Sequence, residues 1–172
     1  MKTFKAMKYR SRREKKRERD ALVEMMSGVN FNIRADLTFK KGIKLYSDKG
    51  LPFWTRLTRD KAENNIAQFL HRLNREVFKK AYVRYKKQLK VHSVIEGSDE
   101  KDSNKELHSH MLIECPEFMD TEHFIALIVK HWNRTDFGHR IHKVEMIESQ
   151  VGSIIYNLKD GAESLDLMNT NI

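Results

Sequence analysis

The chain has 172 residues, enough for one core of ordinary size and too few for two comfortable domains. Its formal charge of +9 points to a polyanionic partner. The single cysteine, Cys115, excludes an internal disulfide and a multi-cysteine zinc finger. No stretch approaches the roughly 18 apolar residues of a membrane span, so a soluble, cytoplasmic protein with no membrane partner is expected.

Much of the positive charge lies in an N-terminal arm, residues 1–28, where Lys8, Arg10, Arg12, Arg13, Lys15, Lys16, Arg17 and Arg19 follow almost consecutively. Such an arm is expected to be disordered or partly helical when free and to order on nucleic acid. Residues 31–39 then alternate: Phe31, Ile33, Ala35, Leu37 and Phe39 on one face, Asn32, Arg34, Asp36 and Thr38 on the other. This is the pattern of a half-buried strand. Residues 40–58, with Gly42, Gly50 and Pro52, read as an irregular connection. Thr58 is placed to cap a long helix in which Ile66, Phe69, Leu70, Leu73, Val77 and Ala81 keep helical spacing. That helix would also carry Tyr82 and Tyr85.

Residues 89–96 return to strand character, 97–106 read as a loop, and a second strand from Leu107 runs to Cys115, stopped by Pro116. Asp120 can cap a second helix with Phe124, Ile125, Leu127, Ile128 and Trp132 as its apolar stripe. A weaker strand over 141–149 and a short helix over 151–161 follow. Residues 29–163 are thus expected to form one domain with a C-terminal tail over 164–172. The succession of elements suggests an α+β, ferredoxin-like split βαβ sandwich, an antiparallel sheet with helices on one face and an open opposite face.

The strand period of two puts His108 and His110 on one face. If 97–107 is a hairpin loop, Glu96 lies across from His108, and Glu96, His108 and His110 converge on the open side. One carboxylate and two imidazoles with positions left open suit Mg²⁺ or Mn²⁺ as a Lewis acid on a phosphodiester. His92 shares the face as an alternative ligand further from the mouth. Tyr156 and Lys159, three apart on the last helix, share a surface, and a lysine ammonium beside a tyrosine hydroxyl can assist its attack on phosphorus. Arg34, Asp36 and Thr38, with Lys40 and Lys41 at the edge, suit either the lining of a nucleic-acid groove or a plain polar face toward solvent, and Asp36 is alternatively placed to orient a ligand histidine. A second basic run, Lys79, Lys80, Arg84, Lys86 and Lys87, suits phosphates or solvent equally. His131, Trp132, His139 and His142 match no zinc spacing and read as core edge and loop.

The segments Ile33-Arg34-Ala35-Asp36-Leu37-Thr38-Phe39, Ile95-Glu96-Gly97, His108-Ser109-His110 with Glu114-Cys115-Pro116, and Tyr156-Asn157-Leu158-Lys159 together resemble the HUH endonucleases. The likeness is to the single-tyrosine initiators of rolling-circle replication in plasmids and single-stranded DNA viruses. Ser109 departs from the hydrophobic residue that the family has between its histidines. The resemblance implies metal-dependent nicking and joining of origin DNA, with Glu96, His108 and His110 as metal ligands and Tyr156 as nucleophile, assisted by Lys159. It also implies a covalent 5′-phosphotyrosine intermediate. Single-stranded or locally melted origin DNA would be the substrate, bound in part by Arg12, Arg13, Lys15, Lys16 and Arg17. In a eukaryotic viral setting the location would be the host nucleus. The chain has no Gly-x-x-x-x-Gly-Lys-Ser/Thr sequence, so a helicase and polymerase would be separate partners. A single-tyrosine transposase or relaxase shares this ligand set. A non-catalytic RNA- or DNA-binding ferredoxin-like domain shares the fold, but stacks bases on sheet aromatics where this face carries His, Glu, Arg and Asp.

Overall fold

The computed structural model describes residues 12–100, 106–159 and 164–172. The protein is α+β. Its elements run α1 (Arg12–Ser27), β1 (Ile33–Phe39), β2 (Gly42–Tyr46), β3 (Pro52–Arg56), α2 (Arg59–Phe78), α3 (Lys80–Tyr85), β4 (Val91–Glu96), β5 (His108–Ile113), α4 (Thr121–Trp132), β6 (Gly138–Met146) and α5 (Gln150–Asn157). Four strands form one sheet in the order β4-β5-β1-β6, with every neighbouring pair antiparallel. Helix α2 connects β1 and the β2–β3 hairpin to β4, and α4 connects β5 to β6. No helix among the described residues is long and apolar enough to cross a membrane.

The alternation in β1 places Ile33, Ala35, Leu37 and Phe39 in the main core and leaves Arg34, Asp36 and Thr38 half-buried on the other face. That core is completed by Ile66, Phe69 and Leu73 of α2 and by Phe124, Ile128 and Trp132 of α4. Trp132 is fully buried and meets Phe39 and Phe69 edge-on, at centroid separations of 5.2 and 5.7 Å. Both helices start where their caps lie. The Thr58 hydroxyl accepts from the Lys61 amide, and the Asp120 carboxylate accepts from the His123 amide at 2.8 Å.

The second face is not left bare. Met26 of α1, Phe31, Leu112 of β5, and Ile154 and Leu158 at α5 form a separate apolar cluster on it. The expectation of helices on one face is corrected to this extent: α1 and α5 cover the Leu112 end, and the polar row from Glu96 to Thr38 occupies the other end. Residues 40–58 are likewise not irregular, since β2 and β3 form a hairpin. Helix α2 stops at Phe78 because Lys79 adopts a positive φ of 50°, so Tyr82 and Tyr85 sit on the separate helix α3. There the Tyr82 hydroxyl meets His71 Nδ1 at 2.9 Å and Tyr85 points to solvent. Strand β6 starts at Gly138, ahead of the expected 141, where Gly138 pairs with Phe39 after a register shift.

The segment 164–172 closes the outer edge of β4. Val91 and Asn171 exchange backbone hydrogen bonds at 2.7 Å, and the Asp166 amide donates to the Ser93 carbonyl at 2.9 Å. An otherwise open strand edge is thereby paired. Burial pushes the Asp166 carboxyl above its ordinary range, against the opposing hydrogen bonds from Asn169 and Ser93.

His92 is fully buried on the second face, and neither ring nitrogen has a hydrogen-bond partner among the described residues. Burial drives its pKa down to about 4. Above pH ~6.5 the ring is neutral in both folded and unfolded chains and contributes no pH dependence. As pH falls from ~6.5 toward 4 the unfolded chain takes up a proton that the folded ring refuses, so stability drops. Denaturant titrations at pH 7 and pH 5 should show a loss of roughly 2 kcal/mol assignable to this residue, as the difference between the wild type and His92→Leu. Equal pH sensitivity of the two proteins would show that His92 accepts a proton while folded.

Candidate metal centre

The site is built from the ladder outward. In the β4–β5 hairpin Glu96 pairs with His108 and Val94 with His110, while β1 sets Asp36 against His110 and Thr38 against His108. Glu96, His108, His110, Asp36 and Thr38 therefore share one face at the same end of the sheet. The turn that aligns β4 with β5 starts at Gly97, whose φ of +96° and contact with the Glu106 backbone leave no space for a Cβ.

Glu96, His108 and His110 each offer one ligand atom, and these atoms all lie within 4.8 Å of one another. Glu96 Oε2 is 3.6 Å from His108 Nε2 and 3.8 Å from His110 Nε2. The second nitrogen of each imidazole is already engaged. His108 Nδ1 donates to the Glu106 carbonyl at 2.9 Å, and His110 Nδ1 donates to Asp36 Oδ1 at 2.6 Å. Both rings thus turn an Nε2 lone pair toward the centre, the tautomer that a ligand requires. His110 Nε2 and Glu96 Oε1 are buried and have no hydrogen-bond partner among the described residues. Leaving such atoms unpaired costs on the order of 1–3 kcal/mol each, a cost that a bound cation removes. The residues therefore fit a metal ion.

Asp36 is held in turn by Arg34 through two contacts of 3.0 Å, from Nε to Oδ1 and from Nη2 to Oδ2. Burial pushes the Asp36 carboxyl upward, but the hydrogen bonds and charges of His110 and Arg34 outweigh it, and the net shift is downward. Asp36 stays an anion behind His110.

Helix α5 brings the last two groups. Its first turn is capped by Ser149, whose hydroxyl accepts from the Gly152 amide, and Ile154 and Leu158 anchor it to the sheet. Tyr156 is left half-exposed, with its ring edge-on to His110 at 5.8 Å. Arg34 Cζ lies 4.8 Å and Lys159 Nζ 4.2 Å from the tyrosine ring centroid. Lys159 Nζ also pairs with Glu96 Oε2 at 3.0 Å. Burial lowers the Lys159 pKa, yet its bonds to Glu96 and Tyr156 raise it further, so the ammonium is retained. Beside Tyr156, a cleft of about 490 Å³ opens between β6 and α5, lined by Arg34, Lys143, Glu145, Ser149 and Ser153.

Of the other residues singled out in the sequence, Thr38 donates to the Ile141 carbonyl, Lys40 donates to the Asp136 carbonyl at 3.0 Å, and Lys41 pairs with Glu106 at 2.6 Å. Arg13, Lys16 and Arg17 are exposed along α1. The side chains of Arg12 and Lys15, and the arm before Arg12, lie outside the described residues, as do 160–163 at the expected end of the last helix. His92 does not join the cluster. His131, in the core edge, meets Glu76 instead. Sequence reasoning missed Glu106, whose backbone fixes the His108 tautomer and whose side chain ties Lys41 to the site. No side-chain pattern announces a carbonyl acceptor. Comparison of the chain with protein-family models, with curated proteins and with solved structures found no match in any of the three.

Proposed function

We propose that the protein is a metal-dependent DNA nickase and strand transferase of the HUH type, on a ferredoxin-like split βαβ scaffold, that acts on single-stranded or locally melted origin DNA to initiate rolling-circle replication. The observation that carries this reading is the meeting of two constellations. A Glu96, His108 and His110 cluster, two of whose buried polar atoms have no hydrogen-bond partner among the described residues, faces a tyrosine flanked by Arg34 and Lys159. The strand order β4-β5-β1-β6 with α2 and α4 as crossovers supports the scaffold.

A divalent ion held by Glu96, His108 and His110, Mg²⁺ or Mn²⁺, would supply Lewis-acid polarisation of the scissile phosphate. The chain's own residues supply the rest. Tyr156 Oη forms a bond to phosphorus as the P–O3′ bond breaks, and the phenol proton ends on the departing 3′ oxygen. The 5′ end stays on the tyrosine, and because one phosphoester replaces another, a 3′ hydroxyl can reverse the step. Lys159 and Arg34 place two positive charges beside the ring, which favour the phenolate as it forms. Asp36 fixes the His110 ring and keeps its Nε2 available. With Tyr156 the only tyrosine after the histidine strand, one strand is held at a time. Helicase and polymerase functions would come from other chains.

Incubation with single-stranded origin oligonucleotides and Mn²⁺ should give a covalent adduct on Tyr156, identified by peptide mapping. Chelation or the His108→Ala/His110→Ala pair should abolish it while most DNA binding persists. Tyr156→Phe should lose the adduct altogether and keep metal binding, since only the hydroxyl is removed. An adduct on Tyr82 or Tyr85, or full cleavage by the double histidine variant, would overturn the assignment.

Asp36→Asn removes the anion that orients His110 and should weaken Mn²⁺ binding by about 10- to 100-fold. Calorimetric titration of the purified proteins reads this without any DNA. Unchanged affinity would mean that His110 is not a ligand or that its orientation is set by packing alone.

A further inference from the structure

The β2–β3 hairpin leaves the end of β1, outside the four-stranded sheet, and its side chains are unlike a solvent-facing ribbon. Tyr46, Leu51, Phe53 and Trp54 are all exposed, Trp54 to 67% and Tyr46 to 65%. In the hairpin register Lys44 faces Trp54, Tyr46 faces Pro52 and Gly42 faces Arg56, so Lys44, Tyr46, Trp54 and Arg56 share one surface. The opposite surface differs, because Ile43 there packs against the core. Trp54 does not wave freely. Its indole lies across Gly42, where an added Cβ would sit 2.6 Å from Cε2 and Nε1, so the ring is laid flat while its outer face stays in water. Lys44 Nζ sits 5.5 Å over the Tyr46 ring. The segment 40–56 carries Lys40, Lys41, Lys44, Lys49 and Arg56 against one acid, Asp48.

A large apolar face at this position would ordinarily call for a protein partner, but flat aromatics interleaved with cations fit unpaired bases and their phosphates better. Location narrows the choice further. Lys41 at the base of the hairpin is paired to Glu106, whose carbonyl holds His108, so the ribbon rises from the metal end of the sheet. From these observations we infer that the β2–β3 hairpin is a stacking platform for single-stranded DNA, with bases on Trp54 and Tyr46 and phosphates on Lys44 and Arg56, that guides the strand to the metal centre. The choice of DNA over RNA rests on the nicking reading above. The stacking does not, because it needs neither metal nor nucleophile.

The two tryptophans allow a direct test, since Trp132 is fully buried and Trp54 is exposed. Full-length Tyr156→Phe protein in chelator, which cannot cleave, is titrated with oligo(dT) of about 12 nucleotides, within the site size of such platforms. Tryptophan emission should be quenched, and Trp54→Ala should abolish the quench while leaving the Trp132 emission of a folded protein. The same change should weaken binding about 5- to 150-fold, with Trp54→Phe restoring most of the affinity. Lys44→Ala and Arg56→Ala should each flatten the salt dependence by roughly 0.7 in slope. A blunt duplex should quench little, because its bases are already stacked.

Undiminished oligo(dT) binding by Trp54→Ala overturns the inference. So does stronger binding of oligo(rU) than oligo(dT), quenching by anionic lipid vesicles in place of the oligonucleotide, or a concentration-dependent dimer that Trp54→Ala dissolves. If the wild type shows the Trp54-dependent quench yet never forms an adduct with Mn²⁺, the platform stands and the nicking reading fails.

Discussion

The register of the β4–β5–β1 ladder is the constraint on which the site depends. A strand alternates its side chains, so a slip of one residue in β5 would turn His108 and His110 into the main core and bring Ser109 and Met111 to the polar face. The sequence resists that slip from both sides. Met111 and Ile113 lie buried in the main core with Ala35 and Ile33 opposite them, and Gly97 fits a turn that no side-chain-bearing residue would enter without strain. Apolar burial of roughly 1.5–3 kcal/mol per large side chain thus holds imidazoles that contribute little to stability themselves.

Around the ligands the charges are arranged as two opposed chains. On one side Arg34 holds Asp36, which holds His110; on the other Lys159 holds Glu96. Each anion is compensated by a cation that also touches the Tyr156 ring. The same two cations therefore permit carboxylates to be placed in the cluster and set positive charge beside the Tyr156 ring, where the proposed mechanism needs it. Substituting either cation disturbs an anion at the same time, so its kinetic effect is not separable from its structural one without measuring metal affinity alongside.

The fold was legible wherever periodicity is enforced by a single buried face. The alternation in residues 33–39 and the apolar stripes of α2 and α4 follow from that rule, the caps Thr58 and Asp120 from local hydrogen bonding, and the pairing of Glu96 with His108 from hairpin register, and all stand in the structure. It failed where burial is not the organising force. The β2–β3 hairpin shows its aromatics to solvent, and its turn, Ser47-Asp48-Lys49-Gly50 with Gly50 at a φ of +72°, lies near Gly42 and Pro52, which signal irregular chain as strongly as they signal a hairpin. The edge pairing of Val91 with Asn171 rests on backbone groups, which every residue carries alike. The break at Lys79 lies within a run of good helix formers, and only tertiary packing of Phe78 near Phe118 and Lys87 accompanies it.

Helix α5 shows how a tyrosine can be set beside the histidine pair by a short element. It has eight residues, about two turns, too short to be stable alone, so its position depends on what it buries. Ile154 and Leu158 dock onto Leu112 and the α1 cluster. Against that gain, Asn157 is fully buried and neither amide atom has a partner among the described residues, a cost on the order of 1–3 kcal/mol. The tyrosine therefore rides on an element held mainly by two buried apolar side chains, part of whose gain the unpaired amide offsets. Under the nicking reading proposed above, a ligand set seated on the sheet and a tyrosine seated on a short helix would divide the work in a way that suits a reversible transfer: the histidines are fixed by the strand register, and Tyr156 is positioned by the two apolar contacts of α5.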